Sequence, residues 1–135
     1  MQAYRIFSSL NREVRPISLD ENGLKVEELK RSEAKAVYLT PSHQFPTGVV
    51  MPIKRRKEIL SWAAGEDNRY IIEDDHDSEF RYKGLPIPPM KAIDTGNKVV
   101  YLGTFSRTIA PAIRIGFMVL PDGLLKVYRK KLAFL

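Results

Sequence analysis

The sequence has no cysteine among its 135 residues, so disulfide bridges, thiolate catalysis and cysteine-ligated metals are excluded. It has no apolar run near the roughly 20 residues that a membrane-spanning helix needs. Residues 1–14 lack the apolar core of a signal peptide. We therefore expect a cytoplasmic protein that makes no contact with a membrane.

What remains is the composition of a soluble globular domain, with 44% hydrophobic and 28% charged residues. The length suits one domain with a core of its own. The net charge is +6, and part of the excess lies in two basic clusters, 54–57 and 129–131. Such clusters can bind nucleic acid, but no aromatic residues interleave with these. We expect both clusters to be solvated faces of helices.

Apolar, β-branched runs alternate with helical patterns along the chain. Strands are predicted at 35–40, 70–73, 98–103 and 114–120, and helices at 1–10, 24–31, 52–64 and 124–135. The alternation predicts an α/β fold with a mostly parallel sheet covered by helices. Sites in such sheets lie at the carboxyl ends of the strands. Here polar residues follow Thr40, Glu73 and Gly103.

The chain begins within one predicted helix and ends within another, and neither end carries a capping residue. The outer strands of so small a sheet would also have unpaired edges. We therefore expect that the chain is a piece of a larger protein, with partners missing on both sides.

An acidic run, Glu73-Asp74-Asp75-His76-Asp77, follows directly on a predicted strand. One hypothesis is a metal site, since Asp and His are suitable ligands. A second is a Walker-B-like aspartate, but the phosphate loop GxxxxGK[ST] that it requires is missing. A third is a carboxylate that faces a cationic organic cofactor. The structural alternative is a solvated acidic turn that pairs with the basic helices, and the run alone does not decide among these.

A second group of polar residues, Gly103-Thr104-Phe105-Ser106-Arg107, follows another predicted strand, and Arg114 comes shortly after it. The glycine permits a tight strand exit, while the hydroxyls and guanidinium groups could hold a phosphate. Alternatively, the hydroxyls cap local backbone and the arginines pair with Asp74 or Asp75. His43, in the loop 41–48, is a possible acid or base, although a loop histidine is more often a packed or capping group.

In order and spacing, three segments of the sequence resemble a known family. They are YLTPSHQFPTG (38–48), IIEDDHDSEFRY (71–82) and YLGTFSRTIAPAIRIGFMVLP (101–121). These segments resemble fold type I pyridoxal-phosphate (PLP) enzymes of the class I/II aminotransferase group. The nearest likeness is to the aminotransferase-like domain of MocR/GabR-type transcription regulators of the GntR family. The resemblance implies that residues 1–135 are part of the PLP-binding large domain, a three-layer α/β sandwich.

The resemblance also implies roles for residues of the acidic run. In the family, the first Asp of this motif pairs with the protonated pyridine nitrogen and keeps the ring an electron sink. That residue is Asp74 in this sequence. Two residues later the MocR-type proteins have a tyrosine that bonds the phenolic oxygen of the ring, and here that position is His76.

The motif GTFSK of the family reads GTFSR in this sequence. The family's lysine forms the Schiff base with the cofactor aldehyde, and Arg107 stands in its place. A guanidinium stays protonated and does not form this imine. Thr104, Ser106 and Arg114 match positions that bind or surround the cofactor phosphate, so PLP is the implied cofactor, held without a covalent bond.

The parent architecture contains parts that this sequence does not match. MocR-type regulators carry an N-terminal winged helix-turn-helix that binds DNA, and the enzyme fold has a C-terminal small domain. The resemblance implies a homodimer with an amino acid or amine effector. We expect a fragment that is catalytically inactive alone. The alternatives are a small PLP-dependent aminotransferase completed by other chains, and a non-catalytic binding module that uses its basic helices.

Overall fold

The computed structural model describes residues 2–44, 46–76, 87–105 and 115–132. The helices are α1 (Gln2–Ser9), α2 (Val26–Arg31), α3 (Ile53–Ala64), α4 (Met90–Ile93) and α5 (Asp122–Leu132). The strands are β1 (Leu19–Asp20), β2 (Gly23–Leu24), β3 (Ala36–Leu39), β4 (Tyr70–Asp74), β5 (Val99–Thr104) and β6 (Gly116–Val119). Within these ranges, no helix has the length and apolar character that crossing a membrane requires.

The main sheet has four strands in the order β3-β4-β5-β6. The pairs β3–β4 and β4–β5 are parallel, and β6 runs antiparallel to β5. The predicted α/β fold with a mostly parallel sheet is thus confirmed. Because the three parallel strands point the same way, the residues that follow Leu39, Asp74 and Thr104 share one end of the sheet. The start of β6 lies at that end too.

One face of this sheet carries the main core. Side chains alternate along each strand, so Val37 and Leu39 of β3 share a face with Ile71 of β4 and Val99 of β5, and all four are buried. Helices α2, α3 and α4, together with Leu24 of β2 and Met51 before α3, supply the other half of the core. The buried cluster consists of Leu24, Val26, Leu29, Val37, Leu39, Met51, Ile59, Trp62, Ala63, Ile71, Met90 and Val99.

The opposite face of the sheet is covered more thinly. Tyr38 of β3 points to this side, where its ring contacts that of Phe7 from α1 edge-on, with centroids 6.0 Å apart. All four residues of β6 are exposed, and no described residue of α5 is buried. The apolar residues of β6 and α5 are therefore open to further contacts.

A turn at Asn22-Gly23 joins the strands of the short hairpin β1–β2. Gly23 has a φ of +101°, a conformation that glycine adopts without strain. Arg55 of α3 ties the hairpin to the helix: its guanidinium donates to both carboxylate oxygens of Asp20, at 3.0 and 3.2 Å, and to the carbonyl oxygen of Leu24 at 2.5 Å.

The expectation that both basic clusters are solvated faces is wrong for the cluster 54–57. Arg55 is engaged with the hairpin and Arg56 is completely buried, so only its two lysines are exposed. The cluster 129–131 lies in the last turn of α5 and is exposed as expected. Cations are favourable there because the carbonyl end of a helix carries partial negative charge.

Candidate functional site

Asp74 is the last residue of β4, at the polar end of the sheet and on its thinly covered face. The Tyr38 hydroxyl donates a hydrogen bond to its Oδ2. The Nδ1 of His76 lies 3.4 Å from its Oδ1. The side chain of Asp74 keeps 26% of its surface exposed and that of His76 40%. A carboxylate offers about four acceptor positions, so Asp74 can accept further hydrogen bonds from a ligand.

The two neighbouring carboxylates point to the opposite, buried face. Glu73 is fully buried, and it accepts hydrogen bonds from the backbone N–H groups of Met90 at 2.7 Å and Lys91 at 2.9 Å. Asp75 accepts one from the Tyr101 hydroxyl at 2.7 Å. A solvated acidic turn paired with the basic helices is therefore the wrong description of these residues. Strand alternation separates the like charges instead.

The helix α4 was not predicted, and Glu73 explains how so short a helix is held. The first N–H groups of a helix have no partner within it, and here a carboxylate from β4 accepts two of them. Pro89 immediately precedes the helix. The only sequence signal was that proline, since proline is favoured at helix starts.

Burial raises the pKa of Glu73, although the N–H groups of Met90 and Lys91 oppose this. Between its ordinary value of 4.5 and the raised value, the folded chain holds a proton that the unfolded chain has lost. The stability that protonated Glu73 contributes is present below pH 4.5 and is lost as the pH rises through the raised pKa.

We therefore predict a pH-dependent difference between the natural chain and Glu73→Gln. As the pH rises through that window, the free energy of unfolding of the natural chain should fall relative to that of the variant, by up to about 1.4 kcal/mol per pH unit. Urea unfolding at a series of pH values measures the difference. If the free energies of unfolding of the two proteins changed in parallel with pH, the raised pKa of Glu73 would be contradicted.

Arg56 of α3 connects the loops at the same end of the sheet. Its Nε donates to the carbonyl oxygen of Met51 at 2.9 Å. Its two terminal nitrogens donate to the carbonyl oxygens of Pro88 and Pro41, each at 3.0 Å. One buried side chain thus fixes the loop after β3 and the segment before α4. Arg56 was not predicted to be functional, although its spacing of three from Ile59 places it on the apolar face of the helix.

Of the other candidate site residues singled out in the sequence motifs, the structure describes Thr104 and His43. The Thr104 hydroxyl donates to the carbonyl oxygen of Ile115 at 3.2 Å. Ser106, Arg107 and Arg114 lie outside the described residues. His43 is exposed on its loop. Among the residues that the structure describes, no group of three or more His, Asp or Glu side chains could hold a metal ion.

Gly103 was predicted to permit a tight strand exit, but in the structure it makes room for a neighbouring aromatic ring. It lies within β5, opposite Phe117 of β6. A Cβ added there would come within 2.3 Å of the Phe117 ring. That ring also packs against Phe105, with centroids 4.8 Å apart. The absent side chain therefore makes room for an aromatic pair beside the polar end of the sheet.

The geometry suits a ligand with a cationic N–H group. A partly exposed carboxylate, oriented by a hydrogen bond from the Tyr38 hydroxyl, ends the second of the four strands. The chain was also compared with known proteins. No protein-family model matches the chain. It is 45% identical over 125 residues to the HTH-type transcriptional regulator YdeL of Bacillus subtilis, covering 93% of this chain and 27% of the regulator. It is 36% identical over 115 residues to the probable rhizopine catabolism regulatory protein MocR of Rhizobium meliloti, covering 85% of this chain and 23% of that protein.

The chain is also similar to a solved aminotransferase structure. The kynurenine aminotransferase of Pyrococcus horikoshii, in complex with PMP, superposes with a TM-score of 0.76 at 40% identity, covering 85% of this chain and 30% of the enzyme. The chain is a homologue of MocR-type regulators and of aminotransferases. The predicted family and the fold of its aminotransferase-like domain are thereby confirmed. The chain spans about a quarter of the length of the two regulators.

Proposed function

We propose that this homologue of the MocR-type regulators is a PLP-binding segment that holds the cofactor without a covalent bond. The observation that carries the proposal is the position of Asp74. Its carboxylate ends β4, stays partly exposed, accepts a hydrogen bond from the Tyr38 hydroxyl and lies 3.4 Å from Nδ1 of His76. A carboxylate so placed is suited to accept the N–H of a protonated pyridine ring.

The chemistry of the available side chains fits the cofactor. Bound PLP supplies a protonated pyridine ring that withdraws electrons from a substrate's amine-bearing carbon. Asp74 would hold the ring nitrogen and His76 would lie next to it. Thr104, Ser106 and Arg114 offer the hydroxyl and guanidinium groups that bind phosphate. The aminotransferase of Pyrococcus horikoshii, which contains PMP, supports the same class of ligand.

We also propose that this chain alone is catalytically inactive. Arg107 occupies the position of the family's lysine, and its guanidinium remains protonated at all physiological pH values. By homology, an effector that is an amino acid or amine, a homodimer, and DNA contact through a separate helix-turn-helix domain belong to the complete regulator. We propose these for the complete protein only.

The proposal predicts that Asp74→Asn weakens PLP binding at least about tenfold, because a charge-assisted hydrogen bond is lost. Equilibrium titration followed by the absorbance of PLP measures the effect. Asp67→Asn is the matched control, since it removes the same charge from an exposed residue. If the natural chain binds no PLP, or if both variants bind it equally well, the proposal fails.

A nucleic-acid-binding module is the competing function, and the same protein samples can test it. Filter binding at increasing salt would reveal strong, salt-sensitive affinity if it were correct. The burial of Arg56 and the pairing of Arg55 with Asp20 argue against it, because they withdraw half of the cluster 54–57 from solvent.

A further inference from the structure

Tyr38 and Asp74 lie on adjacent strands and on the same face of the sheet. Tyr38 is in register with Ile72, and Asp74 is the next residue of β4 on that face. A diagonal neighbour at this spacing is within reach of a long aromatic side chain. The hydroxyl of Tyr38 uses that reach to donate to Oδ2 of Asp74.

The ring of Tyr38 is restrained by packing, and its hydroxyl remains a hydrogen-bond donor. Its ring lies against Phe7 in an edge-on contact. Burial, followed by the hydrogen bond with Asp74, raises the pKa of Tyr38, so the hydroxyl keeps its proton at neutral pH. Because Tyr38 engages Oδ2 and His76 lies beside Oδ1, the carboxylate is contacted on both oxygens. Its rotation about the Cβ–Cγ bond is therefore restricted.

We propose that Tyr38 is a positioning residue, whose hydroxyl fixes the Asp74 carboxylate in the orientation that receives the ring N–H of a pyridine cofactor. This inference rests on the proposed function. In this role Tyr38 acts only through Asp74. Its removal should therefore affect only ligands that possess the ring nitrogen.

The chain offers a matched control for this hydrogen bond. The Tyr101 hydroxyl donates a hydrogen bond to Asp75, the residue after Asp74, at 2.7 Å. Tyr101 and Asp75 thus form a second tyrosine–aspartate pair. That pair lies on the opposite, buried face of the sheet, where Asp75 is 6% exposed. Tyr101→Phe removes the same kind of bond without changing the contacts of Asp74.

The test compares two ligands, PLP and its phosphorylated benzene analogue, in which a C–H group replaces the ring nitrogen. Tyr38→Phe should weaken PLP binding about fivefold, the effect of one hydrogen bond, and change binding of the analogue less than about twofold. Tyr101→Phe should affect the two ligands equally. In the Asp74→Asn background, Tyr38→Phe should have no further effect on PLP, since coupled residues are not additive. Thermal unfolding by circular dichroism verifies that each variant is folded.

Equal weakening of both ligands by Tyr38→Phe would overturn the inference and leave the proposed function standing. The same conclusion would follow if Tyr38→Phe weakened PLP binding as strongly in the Asp74→Asn background as in the natural chain. A natural chain that binds the analogue as tightly as PLP would show that the ring nitrogen is not recognised, and one that binds neither ligand would remove the site. Either of these last results overturns the proposed function and, with it, the role of Tyr38.

Discussion

Replacing Arg56 with methionine is expected to lower the free energy of unfolding by about 3–5 kcal/mol. Methionine has a similar length but no donor. The carbonyl oxygens of Pro41, Met51 and Pro88 would each lose a hydrogen bond to a fully buried guanidinium. A small domain has a total stability of only about 5–15 kcal/mol. Urea or thermal unfolding should thus reveal a protein that is close to its folding limit.

The control for Arg56→Met is Lys57→Met, one residue further along α3. Lys57 is exposed, so its removal should change the stability by no more than about 0.5 kcal/mol. Arg56→Lys retains the charge but not the planar fork of donors, and should recover only part of the loss. Equal stabilities of Arg56→Met and Lys57→Met would show that the buried guanidinium does not hold these loops.

The second large effect concerns covalent capture of PLP at residue 107. After incubation with PLP and reduction with borohydride, the natural chain should carry no adduct on the peptide that contains Arg107, because a guanidinium does not form an imine. Arg107→Lys should carry one, with at least about tenfold more label than surface lysines, since a positioned amine reacts at a high effective concentration. Peptide mapping by mass spectrometry measures the label at each position.

Arg129→Lys is the control for Arg107→Lys, because it adds a lysine to the exposed end of α5. Its new lysine should be labelled only at the background level. An adduct on the Arg107 peptide of the natural chain would refute the chemical argument. Background labelling of Arg107→Lys would instead refute the assignment of this position as the equivalent of the family's lysine.

The fold was predictable because its strands are marked by local pattern. Apolar β-branched runs at 35–40, 70–73 and 98–103 correspond to β3, β4 and β5. The helix α4 was missed because four residues cannot show a helical period, and its first turn is satisfied by Glu73 from a distant strand. Local propensity contains no information about such a partner.

The residues that we propose as cofactor-binding could be chosen from the sequence, but the residues that fix their positions could not. Asp74 and His76 were recognised from the family motif, and the structure places them side by side. Tyr38 and Arg56 were not recognised. Tyr38 belonged to a predicted strand, and Arg56 belonged to a basic cluster that was predicted to be solvated. Their roles depend on register and on burial, which arise only when strands and helices pack.

The sequence by itself determined the α/β class and the order along the chain of the four strands of the main sheet, since both depend on residue type and spacing. It also places an arginine at position 107. Tertiary structure alone decided what Glu73, Asp74 and Asp75 of the acidic run do. Alternation along β4 and the residue that follows it turns Glu73 and Asp75 to the buried face and leaves Asp74 on the other. Parallel pairing then places Tyr38 within reach of Asp74. The physical reason is that a hydrogen bond depends on distance and direction in space, and pairing across 36 residues of chain is fixed only by the folded sheet.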